Sequence, residues 1–178
     1  DIGLQVEPKL IDRATSLDLL ENLVPQMELD HYLDLYEPVS KLRAILALIS
    51  RAQDELVTPD QYMEAAKKIE EDAERRSAIE AARAYKIYQD AKHQKSFVDF
   101  GDLIARSVEL LRANPGVRAL VSSERKHVLV DEYQDMNRAS SFFLQELVEA
   151  GKGPWVVGDV KQAIYRFRGG SPLNMARF

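Results

Sequence analysis

Two adjacent carboxylates, Asp131 and Glu132, follow directly on an apolar run, Val128-Leu129-Val130. A second apolar run, Trp155-Val156-Val157, leads into Gly158-Asp159, with Gln162, Tyr165, Phe167 and Arg168 close behind. Two short strands, expected to be buried, that end in acids suit an α/β nucleotide site, because ligands in such folds sit at the carboxyl ends of the strands. The chemistry of a nucleoside triphosphate uses both carboxylates. Asp131 would hold Mg2+, through water, where the ion can bridge phosphate oxygens. Glu132 would orient or deprotonate an attacking water. On these residues alone, an acidic pair in a solvated turn is the simpler reading.

The elements that must position these residues follow from periodicity and turn signals. Residues 127–131 and 155–158 read as strands, and 138–149 as the helix that crosses between them, with Phe142, Phe143, Leu147 and Val148 apolar. That makes one βαβ unit, whose crossover is expected to be right-handed. Trp155 is expected in the core. Gln134 and Asp135 are expected to bond locally at the strand end, with no chemical step of their own.

Upstream the pattern is helical. After an extended lead-in, Ser16 is placed to cap a helix carrying Leu17, Leu20, Leu23 and Val24, with Pro25 near its end. Pro38 opens the next helix, whose stripe is Leu42, Ile45, Leu46 and Ile49, running to about Leu56. Thr58, Pro59 and Gln61 form a capping-box start, and with no Gly or Pro before Gly101 a single helix to about His93 is expected. Its middle, KKIEEDAERR, reads as a solvated face with Glu71/Arg75 and Asp72/Arg76 in the favourable order. Toward its end Ala81, Ala84, Tyr85 and Tyr88 restore an apolar face. Asp99 is placed to cap a helix that Asn114-Pro115-Gly116 stops. A short helix over 117–122 precedes the first strand, and another starts near Ser171-Pro172.

Composition narrows the classes. The 178 residues are 46% hydrophobic, enough for a core, and contain no cysteine, which removes disulfides and thiolate metal sites. His31, His93 and His127 are too scattered to suggest zinc. No apolar run is long enough to span a membrane. The opening DIGLQVEPK lacks the pattern of a secretory leader, so a cytoplasmic location is expected. Net charge is −5, and from His127 onward acids and bases balance at six each. The acidic sum argues against a dedicated nucleic-acid-binding domain. The basic end, Lys161, Arg166, Arg168 and Arg177 beside aromatics, still permits a polyanion contact.

DEYQD followed one crossover later by GDVKQAIYRFRGG resembles motifs II and III of the UvrD/Rep group of superfamily 1 DNA helicases. Upstream, Val98-Asp99-Phe100-Gly101-Asp102-Leu103-Ile104 is similar to the segment that precedes motif II in that group, and Tyr85–Gln89 and the opening residues are similar more weakly. The resemblance implies an α/β fold: a mostly helical insert over 1–98, then over 99–178 part of a RecA-like parallel sheet, an incomplete P-loop NTPase domain. It implies ATP and Mg2+ as ligands, with Asp131 on the metal and Glu132 as the catalytic base. Gln162, counted with Glu132 among the catalytic residues, would sense the γ-phosphate and link it to DNA. Tyr165 and Phe167 would stack on bases of single-stranded DNA, a grip that is independent of sequence. From the residues alone, core packing is the simpler reading of these two aromatics. Arg168 would reach a backbone phosphate, or an acidic neighbour such as Glu132 or Asp135.

The implied partners are single-stranded DNA, duplex junctions and a second RecA-like domain of the same chain, with no membrane. The implied function is ATP-driven movement on single-stranded DNA with unwinding, 3′→5′ in direction. Departures are small: Ala163 stands for Ser, Gly170 for Ala, and Phe167 for the Trp of some members. The phrase GDVKQAIYRFRG is also similar to helicase subunits of the exonuclease V (RecB/AddA) type, and a non-catalytic helicase-like binding module is the other alternative. No G-x-x-x-x-G-K-[ST] phosphate loop occurs. The resemblance therefore implies an internal piece of a longer protein, inactive toward ATP by itself.

Overall fold

The computed structural model describes residues 7–32, 36, 38–125, 127–148, 152–159 and 161. The chain divides into two compact units. The first holds the described residues up to Gln53 together with Val57–Gly101; the second holds Asp54–Leu56 and the described residues from Asp102 on.

In the first unit, α1 (Arg13–Met27) starts earlier than the sequence suggested. Its cap is Asp12, whose Oδ1 accepts the Thr15 N–H at 2.8 Å. Ser16 lies inside the helix, buried, with its hydroxyl donating to the Asp12 carbonyl at 2.8 Å. Pro25 lies near the end of the helix, as expected, and inside it. Helix α2 (Pro38–Asp54) buries the expected stripe of Leu42, Ile45, Leu46 and Ile49. Helix α3 (Pro59–Ala66) begins with the expected capping box: Thr58 Oγ1 accepts from Gln61 N–H, and Gln61 Oε1 accepts from Thr58 N–H.

The single helix expected to His93 is two. Helix α3 stops at Ala66, and α4 (Asp72–Gln94) starts afresh. The charged run makes the break. The Glu71 carboxylate accepts the N–H groups of Ala73 and Glu74, so it caps α4 instead of pairing with Arg75. Arg75 donates to the carbonyls of Ile69 and Glu70 and so ties down the turn. Asp72 pairs with both Arg75 and Arg76. The far half of α4 buries Ala81, Ala84, Tyr85 and Tyr88 against α1 and α3, in one core with Leu20, Met27, Ile45 and Ile49.

Strand β1 (Lys9–Leu10) pairs in parallel with β2 (Phe97–Val98), Lys9 opposite Phe97 and Leu10 opposite Val98. Asp99 follows β2, and its carboxylate is held on three sides. Lys92 Nζ lies 2.5 Å from Oδ2, the Tyr88 hydroxyl 3.3 Å from the same oxygen, and Gln53 Nε2 donates to Oδ1 at 3.0 Å. Lys92 is 0% exposed and its ammonium lies over the Tyr88 ring. Asp99 stands where a cap for the next helix was expected, and it also neutralises a buried lysine.

In the second unit, α5 (Phe100–Ala113, from Asp102 on) and α6 (Pro115–Glu124) precede β3 (Leu129–Val130). Helix α7 (Arg138–Leu147) is capped by Asn137, whose Oδ1 accepts from Ser140 N–H at 2.8 Å and whose amide donates to Asp54. The Glu146 carboxylate gathers Arg112 from α5 and Arg118 from α6, each at 3.0 Å. Strand β4 (Trp155–Val156) lies parallel to β3, Leu129 opposite Trp155 and Val130 opposite Val156.

The expectation of buried strands, and of Trp155 in a core, is corrected. Leu129, Trp155 and Val157 are 78%, 72% and 68% exposed. A parallel sheet is covered on both faces by other layers; here Val130 and Val156 are half-buried, and no described residue covers the face that carries Leu129, Trp155 and Val157. The helix expected near Ser171 lies outside the described residues. Among the described residues no helix is long and apolar enough to cross a membrane.

Candidate active site

The carboxylate pair is built by the way β3 ends. Asp131, exposed, turns its Oδ1 back onto the Glu132 N–H at 2.8 Å. Glu132 then adopts φ 53°, ψ 40°, in the left-handed region that a side chain with a Cβ rarely occupies. This single residue swings the chain out of the strand and into a 3-10 turn, Tyr133–Asp135. The turn closes with Asp135 N–H on the Glu132 carbonyl at 2.9 Å and Met136 N–H on the Tyr133 carbonyl at 3.2 Å. Glu132 is left exposed at the strand's carboxyl end.

The end of β4 is hydrogen-bonded to the same turn. Trp155 N–H donates to Val128, Val157 N–H to Val130, and Tyr133 N–H to Val157, so the ladder runs on past the strand into the turn. Gly158 follows and approaches so closely that a Cβ there would lie 2.5 Å from Gln134 Oε1. Asp159 closes a small turn of its own, accepting Lys161 N–H at 2.9 Å.

Gln134 joins the two. Its side chain is 1% exposed. Its Nε2 donates to Glu132 Oε2 at 2.5 Å and its Oε1 accepts Asp159 N–H at 2.9 Å. Only one orientation of the amide satisfies both, since a carboxylate only accepts and a backbone N–H only donates. Sequence reasoning assigned Gln134 a local bond and nothing more. The signal that could have found it is Gly158, because a glycine directly after a strand often marks a close approach of another group.

Mg2+ fits the donor set. The ion keeps waters and phosphate oxygens around it and takes one or two carboxylates from the protein. Asp131 offers one such carboxylate at the strand end, and among the described residues no group of three or more His, Asp or Glu forms a protein cage. Of the other residues singled out in the sequence, Gln162, Tyr165, Phe167 and Arg168 lie outside the described residues.

Comparison with known proteins covers the whole stretch. The model of the UvrD/REP helicase N-terminal domain matches residues 1–178. The chain is 31% identical over 177 residues to the ATP-dependent DNA helicase PcrA of Leuconostoc citreum, a match that takes in 99% of the chain and 22% of that protein. It is 33% identical over 183 residues to the ATP-dependent DNA helicase UvrD1 of Mycobacterium tuberculosis, again 99% and 22%. A shorter match, 39% identical over 87 residues, takes in 49% of the chain and 7% of an ATP-dependent helicase/nuclease subunit of Streptococcus mutans. The chain thus spans 22% of the length of the relatives it matches from end to end.

Proposed function

The chain belongs to the UvrD/REP helicase N-terminal domain family, and from that premise we propose that it is the motif II–III portion of an ATP-dependent DNA helicase. In this reading residues 1–98 form the helical insert and 99–178 part of the first RecA-like domain. The intact, cytoplasmic protein couples ATP hydrolysis to 3′→5′ movement on single-stranded DNA and opens duplex junctions. A second RecA-like domain completes the site, and this portion alone is inactive because it carries no phosphate loop.

The observation that carries the reading is the strained turn at Glu132. Two exposed carboxylates stand at the carboxyl end of a parallel strand, the second held in a left-handed conformation. Such outliers persist where the surrounding structure over-determines them, and they cluster at functional sites. Asp131 would hold Mg2+, and the ion when bound would supply positive charge to the phosphates. Glu132 orients the attacking water and accepts its proton. Gln162 reports the γ-phosphate, and Tyr165, Phe167 and Arg168 grip the DNA strand.

The test is ATP turnover by the intact protein, with and without single-stranded DNA, beside Glu132→Gln. The expected result is DNA-stimulated turnover, lowered about 100-fold or more by Glu132→Gln, with ATP still bound. Turnover unchanged by Glu132→Gln would remove the catalytic assignment, and an intact protein with no turnover would move a non-catalytic binding module ahead. The 39% match to a helicase/nuclease subunit favours a second reading, a helicase subunit of the exonuclease V type. Metal-dependent DNA cleavage by the intact protein would select it.

A further inference from the structure

Glu132 has a long side chain on an exposed turn, and nothing in its own backbone fixes where its carboxylate points. Left free it would sample several rotamers, and ordering such a side chain carries an entropic cost. What fixes it is Gln134. A hydrogen bond to an ionised carboxylate is roughly twice as strong as one between neutral groups, and the Gln134 amide makes one to Glu132 Oε2. The other end of the same amide is anchored on the Asp159 N–H, and Gly158 is packed against it. The amide itself is buried, while the Glu132 carboxylate that it holds is exposed.

We propose that Gln134 is a positioning residue for hydrolysis: it holds the Glu132 carboxylate through its N–H while its carbonyl is fixed to the end of β4. The aim of the base is thereby tied to the Gly158–Asp159 turn. A shift of that turn redirects Glu132 without any residue touching the nucleotide. The inference rests on the reading of Glu132 as the base.

Two substitutions in the intact protein separate the bonds. Gln134→Met keeps the length of the side chain and removes both. Gln134→Glu keeps an acceptor for Asp159 N–H and removes the donor to Glu132. Both are expected to lower kcat for DNA-stimulated ATP turnover by about 10- to 100-fold, the scale of a misplaced reacting group. KM for ATP and the binding of a non-hydrolysable ATP analogue should stay within about threefold, since neither bond reaches the nucleotide.

The decisive measurement repeats both on a Glu132→Gln background under single-turnover conditions. If Gln134 acts through Glu132, the residual rate falls no further, which is the non-additivity of a coupled pair. A purely structural role predicts the same fold loss on both backgrounds, with analogue binding lost alongside; that result, or wild-type kcat in either variant, overturns the proposal. Should Gln134→Met fail to fold, Gln134→Glu alone decides by the same criteria. If Gln134→Glu also fails to fold, Gln134 is a packing residue and the proposal is overturned. If Glu132→Gln itself turns over ATP at the wild-type rate, the functional reading fails. If Glu132→Gln is inactive and the Gln134 variants are not impaired, only the positioning role fails.

Discussion

Each unit contains a short parallel strand that ends in aspartate. Strand β2 runs into Asp99 and β3 into Asp131. Beside each stands a buried glutamine whose amide donates to a carboxylate, Gln53 to Asp99 and Gln134 to Glu132. Against each glutamine lies a glycine with no room for a methyl group, Gly101 and Gly158. The outcomes are opposite. Asp99 is engaged by a buried lysine, a tyrosine and a glutamine. Asp131 and Glu132 face solvent. The same local parts make a brace in one unit and a presented acid pair in the other. What separates them is a buried cation. An acid that neutralises Lys92 is committed to the fold, while one with no such partner can serve a ligand.

The sharpest way to break the comparison is Lys92→Met. It leaves the Asp99 carboxylate without its lysine in a buried site, a change that typically costs about 3–5 kcal/mol. Hydrogen exchange over α4 should accelerate accordingly, and adding Asp99→Asn should recover part of the loss. Protection equal to wild type would mean that Lys92 is not the brace.

Next come the glycines. Gly101→Ala sets a Cβ 2.6 Å from Gln53 Oε1, and Gly158→Ala one 2.5 Å from Gln134 Oε1. Each is expected to destabilise its own unit by about 1–3 kcal/mol, as overpacking does. Only Gly158→Ala should lower kcat. Equal effects on kcat would erase the distinction between the two units.

Smaller still is the relief of strain. Ser96, just before β2, and Glu132, just after β3, are both non-glycine residues at positive φ, 52° and 53°. Ser96→Gly and Glu132→Gly should each gain about 1 kcal/mol, seen as slower exchange in the adjoining turn. The first should leave turnover intact and the second abolish it.

The smallest effect concerns the cap of α1. Hydrogen bonds from Thr15, backbone first and then side chain, hold the Asp12 carboxyl below its ordinary value of 3.8. A depressed folded value means that the stabilisation is present above the unfolded value and is lost as pH falls through the folded one. Asp12→Asn keeps an acceptor and removes the titration, so melting temperature should fall slightly less with acid. A wild-type acid slope in that variant would show that the cap does not contribute.

How far the sequence reached differs between these regions for physical reasons. The capping box at Thr58 and the stripe on α2 are local patterns, and both stand in the structure as expected. The acid pair at the end of β3 was legible because an apolar run fixes where a strand stops. The break between α3 and α4 was not, because a charged run on a solvated helix and one that caps a new helix have the same composition. Only the turn of Glu71 onto its own neighbours decides. The pairing of β1 with β2 joins residues far apart in sequence and leaves no periodic signal. Gln134 escaped because its second partner, Asp159, lies one crossover away. Trp155 was misjudged because apolarity says that a face wants covering, not that the chain at hand covers it.

That uncovered face has a practical consequence. Trp155 is the chain's one tryptophan, and it stands in water on the strand hydrogen-bonded to the Glu132–Gln134 turn. An indole in water emits at longer wavelength than one in an apolar setting. Its fluorescence therefore provides an optical gauge of whatever layer closes over β3 and β4, read from a residue three positions before Gly158.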